Sequence, residues 1–373
     1  MIVLRRRLLI LVWLLLARCV AQTAASDNDY FVYLVCEGAD KVAIVKFGLD
    51  GAKVDHLVNT RVLPGGDISG PHGIVFSPDR QYYYVTIAHG RPYGQMLKYR
   101  VKDDAVVGQV SLGFFPATVD VTPDGNFLYT VNFNLHGDMV PSSVSVVASD
   151  EMIEAKRIPT CVMPHGSRIN PQGTKQYSAC MMNDMLVEID TQKFEVSRDF
   201  VLSKGKEAGM TGSPPKEHSM SAATCSPTWA QPSVDGKSIF VACNKSDEIV
   251  EVGVDSWSLK RRIAAGSGVY NLAVSRDGKL VGTNKRGQSV SVFDVESGRE
   301  LARIPTKRKI PDGVVISPDN RYAFVAVEGI GSEPGTVEII DLQTLKTVAT
   351  VDVPQQAVGI DFWKTEVRSP KAK

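Results

Sequence analysis

One motif, an apolar strand followed by a Ser/Thr-Pro-Asp-Gly type turn and a second apolar strand, recurs along most of this 373-residue chain. It reads PHGIVFSPDRQYYYVTI at residues 71–87, PATVDVTPDGNFLYTVN from 116 and PHGSRINPQGTKQYSAC from 164. Looser copies are SPTWAQPSVDGKSIFVAC from 226, VYNLAVSRDGKLVGTN from 269 and PDGVVISPDNRYAFVAV from 311. The turn positions Asp79, Asp124, Gln172, Asp235, Asp277 and Asp319 follow one another at 45, 48, 63, 42 and 42 residues. A weaker third and fourth strand, such as SVSVFDV and ELARIPT, follows each copy. Four strands in roughly 40 to 50 residues is the period of a propeller blade, a unit that buries its faces only by stacking on neighbours.

Six copies are complete, and the chain ends supply a seventh in pieces. QQAVGIDFW, ending at Trp363, is a first strand with nothing after it, and YFVYLVCEGADKVAIVKF at 30–47 is a second and third strand with no first strand before it. Joined, they close a ring and remove the exposed sheet edges that invite aggregation. The sequence therefore predicts an all-β, seven-bladed β-propeller as a single domain over residues 26–373. The long 63-residue step marks an insertion at about 202–224, Gly/Pro-rich and polar in its centre.

The repeat resembles the YVTN-type, or YncE-like, β-propeller family over essentially the whole chain after residue 25. SPD at 77–79, TPDG at 122–125, SRDG at 275–278 and SPDN at 317–320 carry the resemblance, with YVT at 84–86, YTVN at 129–132 and FVACN at 240–244. Families with this repeat include surface proteins, binding proteins and lactonases, so the resemblance implies a fold and leaves the function open.

Residues 1–25 run from Arg5, Arg6 and Arg7 through the apolar stretch Leu8 to Leu16 into small residues ending at Ala25, the order of a secretory signal. Cleavage after Ala21 or Ala25 is expected, with export to the periplasm or the extracellular space. Leu16-Ala17-Arg18-Cys19 also resembles a lipoprotein box, against which Arg18 counts. No later segment has the roughly twenty apolar residues of a membrane-spanning helix. Lys+Arg 42 against Asp+Glu 41 gives a net charge of +1, which offers no electrostatic argument for nucleic acid as a partner. A monomer is the expectation.

Strand parity gives the channel. The first strand of each blade lies innermost, and alternate side chains face opposite ways. One column is apolar, from Phe76 and Val121 to Phe362, and so is the column two residues earlier, Ile74, Val119, Leu272, Val314 and Ile360; both are expected to pack between blades. The intervening column, Val75, Asp120, Arg168, Gln231, Ala273, Val315 and Asp361, is polar in four blades and is expected to face the channel. Arg168 with Asp120 would be an internal ion pair, or these groups would hold a small polar ligand.

His72, His165 and Asp312 share one repeat position at the start of a first strand; His89 and His136 leave second strands, and His218 lies in the insertion. Five of six histidines thus map to one face, and Asp312 with them. Soft ligands follow: Cys161, Met163 and His165 enter one first strand, Met181 follows Cys180, and His218, Met220 and Cys225 end the insertion before the blade that holds Cys243. Thiolate, thioether and imidazole together suit Cu(I) or, less well, zinc. The alternative is structural: Cys161 with Cys180 and Cys225 with Cys243 lie near the same end of paired strands and could be disulfides. Lys285-Arg286 and Thr306-Lys307-Arg308-Lys309 read as a solvated basic rim on this face.

Nucleophile elbow, phosphate loop, metalloprotease and haem motifs are all absent. The leading expectation is an exported binding or scaffold propeller that holds a ligand, metal ion or protein on its His/Met/Cys-rich face. The alternative is an enzyme on that face, a lactonase-like hydrolase using Asp312, Glu328, His72 and His165, or a copper redox protein.

Overall fold

The computed structural model describes residues 28–63, 67–89, 94–211 and 223–368. The expected signal segment, residues 1–25 with Cys19, and His218 and Met220 of the insertion, lie outside these residues. Seven antiparallel sheets form a β-propeller. Blade 1 opens with Pro71–Phe76, blade 2 with Pro116–Val121, blade 3 with Pro164–Ile169, blade 4 with Pro227–Pro232, blade 5 with Val269–Val274 and blade 6 with Ile310–Ile316. Blade 7 joins the C-terminal strand Ala357–Val367 to the N-terminal strand Asn28–Cys36, with Val32 opposite Phe362 and Leu34 opposite Ile360. The seven opening strands touch one another in sequence around the axis, the last against the first.

The repeated turn explains why each blade folds locally. Ser77 Oγ donates to Asp79 Oδ1 at 2.5 Å and accepts from Tyr82 N at 3.0 Å. Thr122, Ser233, Ser275 and Ser317 make the same bond to Asp124, Asp235, Asp277 and Asp319. Where Gln172 replaces the aspartate, Asn170 Oδ1 instead accepts from Thr174 N and Lys175 N. These side-chain bonds specify a turn against other conformations.

Two expectations change. Part of the insertion is not loop: Ala208–Thr211 adds a fifth strand to blade 3, pairing with Arg198–Val201 and covering an edge that would otherwise stay open. Arg262 of blade 4 holds Glu207 beside it at 2.6 Å, and Asp184 accepts from the backbone of Thr224, Cys225 and Ser226 where the chain re-enters. The parity assignment also fails in part, because Ile74, Val119, Val314 and Ile360 line the central cavity together with Arg168. An innermost strand turns an edge to the axis, so both sets of side chains border the channel while leaning on the two flanking blades. Asp120 accordingly reaches the next blade, accepting from Ile169 N at 2.8 Å, and Asp361 accepts from Phe76 N at 2.9 Å. The expected Arg168–Asp120 pairing gives way to these backbone bonds, and Arg168 stacks over Trp229, 4.5 Å from the ring centroid. Gln231 donates to the carbonyl of Pro232 in its own strand.

Candidate functional site at the channel mouth

Every opening strand carries a register shift near its start, such as Pro71/Ile74, Pro164/Ser167, Pro227/Trp229 and Pro311/Val314. This is a β-bulge, which bends the strand and re-aims a side chain. Within it, the first unpaired residue is His72, Ala117, His165, Thr228, Tyr270, Asp312 or Val358 according to blade. Hydroxyls of the preceding blade fix four of these carbonyls: Thr86 donates to Ala117 O, Thr118 to His165 O, Thr228 to Tyr270 O and Thr283 to Asp312 O. The next residue is glycine in blades 1, 3, 6 and 7 for a steric reason. A Cβ at Gly73, Gly166, Gly313 or Gly359 would strike the carbonyl of Ala117, Thr228, Val358 or His72 on the adjoining blade.

A second column faces this one, formed by the residue at or just past the end of each second strand; it includes Glu37, Phe133, Lys285 and Glu328. Glu37 accepts from His72 Nδ1 at 2.7 Å and from His89 Nε2 at 3.0 Å. Burial would raise the Glu37 carboxyl, but the charge and hydrogen bond of His72, joined by His89, hold it well below the carboxylate range. Burial would likewise lower the His72 imidazole, and Glu37 overcomes it, so His72 titrates above its ordinary value. His165 behaves in the opposite way: it is 3% exposed, and burial followed by the charge of His72 pushes it down to about 4. Its Nδ1 lies 2.9 Å from the carbonyl of Thr228, which can only accept, so Nδ1 carries the proton. Its Nε2 therefore accepts from the Tyr270 hydroxyl at 2.9 Å.

Across the mouth, Lys285 Nζ lies 2.5 Å from Asp312 and 3.2 Å from Glu328, and 3.8 Å from the centroid of Tyr270. Burial and the charge of Asp312 push the Glu328 carboxyl up to about 7, against the pull of Lys285. The opposite wall is aromatic: Phe115 packs against His72, His89 and the exposed His136 with centroids 5.4–5.5 Å apart, and Phe133 sits 4.7 Å from His165. His72, His165, Asp312 and Arg168 line the cavity beneath; Asp120, Asp361 and Gln231 bond to backbone around it.

The metal reading of the cysteines is overturned. Cys161 is bonded to Cys180 and Cys225 to Cys243, so four thiolates needed for Cu(I) or zinc are consumed in disulfides. Met163 and Met181 pack in the apolar cluster around Phe115, Phe133 and Val162, where a thioether fills space. Among the described residues no three His, Cys, Asp or Glu side chains are placed to hold a metal ion. Free Cys36 is buried, which pushes its thiol up to about 12 and leaves it unreactive. Lys285, expected on a solvated rim, is instead a half-buried cation between two carboxylates.

Sequence reasoning passed over Glu37 and Tyr270. The signal was present: Tyr270 shares the repeat position of His72, His165 and Asp312, and Glu37 that of Lys285 and Glu328.

No family model matches the chain, and no curated protein does. Among solved structures, it is similar to the periplasmic gluconolactonase of Pseudomonas aeruginosa, at 18% identity over 90% of this chain and 99% of that one, TM-score 0.66. Hydrazine synthase from Kuenenia stuttgartiensis matches at 22% identity over 79% of this chain and 90% of that one, TM-score 0.60. A functionally unknown protein from Desulfotomaculum acetoxidans matches at 16% identity over 89% and 98%, TM-score 0.66. What these proteins share with this chain is the β-propeller fold.

Proposed function

We propose that the protein is a hydrolase that opens a small lactone at the channel mouth. The observation that carries this reading is the imidazole of His72, bonded through Nδ1 to Glu37 at 2.7 Å and raised above its ordinary value by it, on the same cavity wall as Asp312. An imidazole pushed toward its cation and a carboxylate on one cavity wall can divide acid and base roles. With Nδ1 engaged by Glu37, His72 presents Nε2 as a proton donor. Asp312 takes a proton from water, the water oxygen adds to the lactone carbonyl carbon, and the ring C–O bond breaks. His72 delivers its proton to the departing ring oxygen, and the product is a hydroxy acid. Asp312 passes its proton to solvent and His72 is reprotonated. The gluconolactonase neighbour supports this reaction class by fold alone.

The binding role without turnover is the second reading. It is favoured by the internal pairing of the mouth charges: Lys285 with two carboxylates, Glu37 with two imidazoles. Titration of acid released from gluconolactone and δ-valerolactone separates the two. Release above the uncatalysed rate, lost in His72→Gln, supports the hydrolase; no release in protein that binds a lactone analogue leaves the binding role. Export is part of the proposal, supported by the leader and by two disulfides, which persist in oxidising compartments.

A further inference from the structure

The rim of the mouth is uneven. Over blades 1 and 2 its loops are zipped together in pairs: Ala88 N and His89 N donate to the carbonyls of Gly70 and Ser69, and Phe133 N and Asn134 N to those of Phe115 and Phe114, at 2.8–3.0 Å. The zips bring His89, Phe115 and His136 into one aromatic group, with centroids 5.5–6.0 Å apart. Ile68, Phe114, Leu135, Met139 and Val140 stand in the same loops and are 38–52% exposed. Gly137 N donates to Asn134 O and Asn134 Nδ2 to Asp138 O, which closes the loop that carries Leu135 and Met139 into a turn. Phe115, itself buried, lies 5.4 Å from the His72 ring, so an apolar shelf leads from the proposed proton donor out to solvent.

The opposite rim, over blades 5 and 6, is ionic. Arg286 pairs with Asp247 at 2.6 Å and Arg308 with Asp352 at 3.4 Å, and among the described residues Ile330 is the one strongly exposed large apolar side chain in these loops. Exposed apolar clusters rimmed by polar groups mark binding surfaces. Because this one starts inside the mouth, in ring contact with His72, a substituent of the mouth's own ligand reaches it directly. His72 faces the departing ring oxygen and Phe115 packs on His72, so the ring carbon bonded to that oxygen is the one whose substituent meets the shelf.

We propose that the shelf of blades 1 and 2 selects lactones that carry an alkyl arm on the ring carbon next to the ring oxygen, the arm lying on Phe115 and Leu135 while the ester faces His72 and Asp312. The inference rests on the hydrolase proposed above and names its substrate class.

Hydrolysis of δ-hexalactone, δ-octalactone and δ-decalactone, which carry methyl, propyl and pentyl arms at that carbon, tests it on the full chain. Each methylene moved onto the shelf should raise kcat/KM about two- to fourfold, the span between half and full burial, so the pentyl compound should lead the methyl one by about tenfold or more. Leu135→Ser with Met139→Ser should cut that lead about fivefold at an unchanged melting temperature. A lead that survives in the folded double variant overturns the proposal. Turnover of δ-valerolactone with no gain from any arm also overturns it and leaves the hydrolase standing. Calorimetric titration with 2-methyltetrahydropyran and 2-pentyltetrahydropyran, which have no ester, covers the converse: tighter binding of the pentyl compound, lost in the double variant, with no turnover of any lactone supports the apolar arm and overturns hydrolysis. Dimerisation in sedimentation that the same double variant abolishes would make the shelf a protein interface and overturn the proposal.

Discussion

Blades 3 and 4 carry the residues that look most reactive in sequence, yet they serve architecture; the charged chemistry of the mouth comes from blades 1, 5, 6 and 7. In blades 3 and 4, Cys161–Cys180 and Cys225–Cys243 tie the entry of a first strand to the end of the second, and Met163 and Met181 fill the core. On the other side, Glu37, His72, Lys285, Asp312 and Glu328 are gathered by strand ends from separate blades. The difference teaches that residue type is a poor guide to reactivity in a repeat fold. What matters is whether the repeat position points along a blade or toward the axis.

The comparison can be broken most forcefully at the mouth. Asp312→Asn should reduce lactone hydrolysis by about 10²–10⁴, the range for losing a proton-transfer group, with a melting temperature near that of the wild type. An unfolded variant would instead make Asp312 an architectural residue. The converse test removes a staple. Cys161→Ser with Cys180→Ser should cost about 2–5 kcal/mol in urea unfolding while leaving turnover intact. Loss of turnover in folded protein would bring the disulfide end of blade 3 into the site.

A pH experiment sharpens the boundary, since His165 belongs to blade 3 and yet lines the cavity. Its folded value is about 4, below the unfolded value of about 6.5, so the unfolded chain binds more protons between them. Its contribution to stability is therefore full above about pH 6.5 and falls as the pH drops through 4, by about 3 kcal/mol in all. The stability difference between wild type and His165→Gln should shrink over that window in denaturant titrations. His72 has the opposite sign: its folded value is raised, so its contribution is present below the unfolded value and is lost as the pH rises through the folded one. The smallest effect is expected for Met163→Leu, below about 1.5 kcal/mol and without change in ligand affinity. A tenfold affinity loss there would restore a thioether to the site.

The fold was legible because its signals are local and repeated. The Ser/Thr–Asp turn bond sits within two residues, and apolar alternation marks each strand, so seven blades and the closure of blade 7 follow from pattern alone. The site was half legible. His72, His165 and Asp312 shared a repeat position, whereas Arg168 and Asp120 satisfy themselves with an indole face and a backbone N–H, partners that leave no mark in the sequence.

The sequence by itself determined the ring, its blade count and the face on which polar residues gather, because a repeat must stack to bury its apolar columns. Only the tertiary structure decided which of those residues meet. His165 meets Tyr270 across 105 residues, and Glu37 reaches His72 from a strand whose inner partner is the C-terminal one. The bulge in each opening strand tips these side chains toward the mouth, and the adjoining blades exclude the water that would hold them at their ordinary acidities.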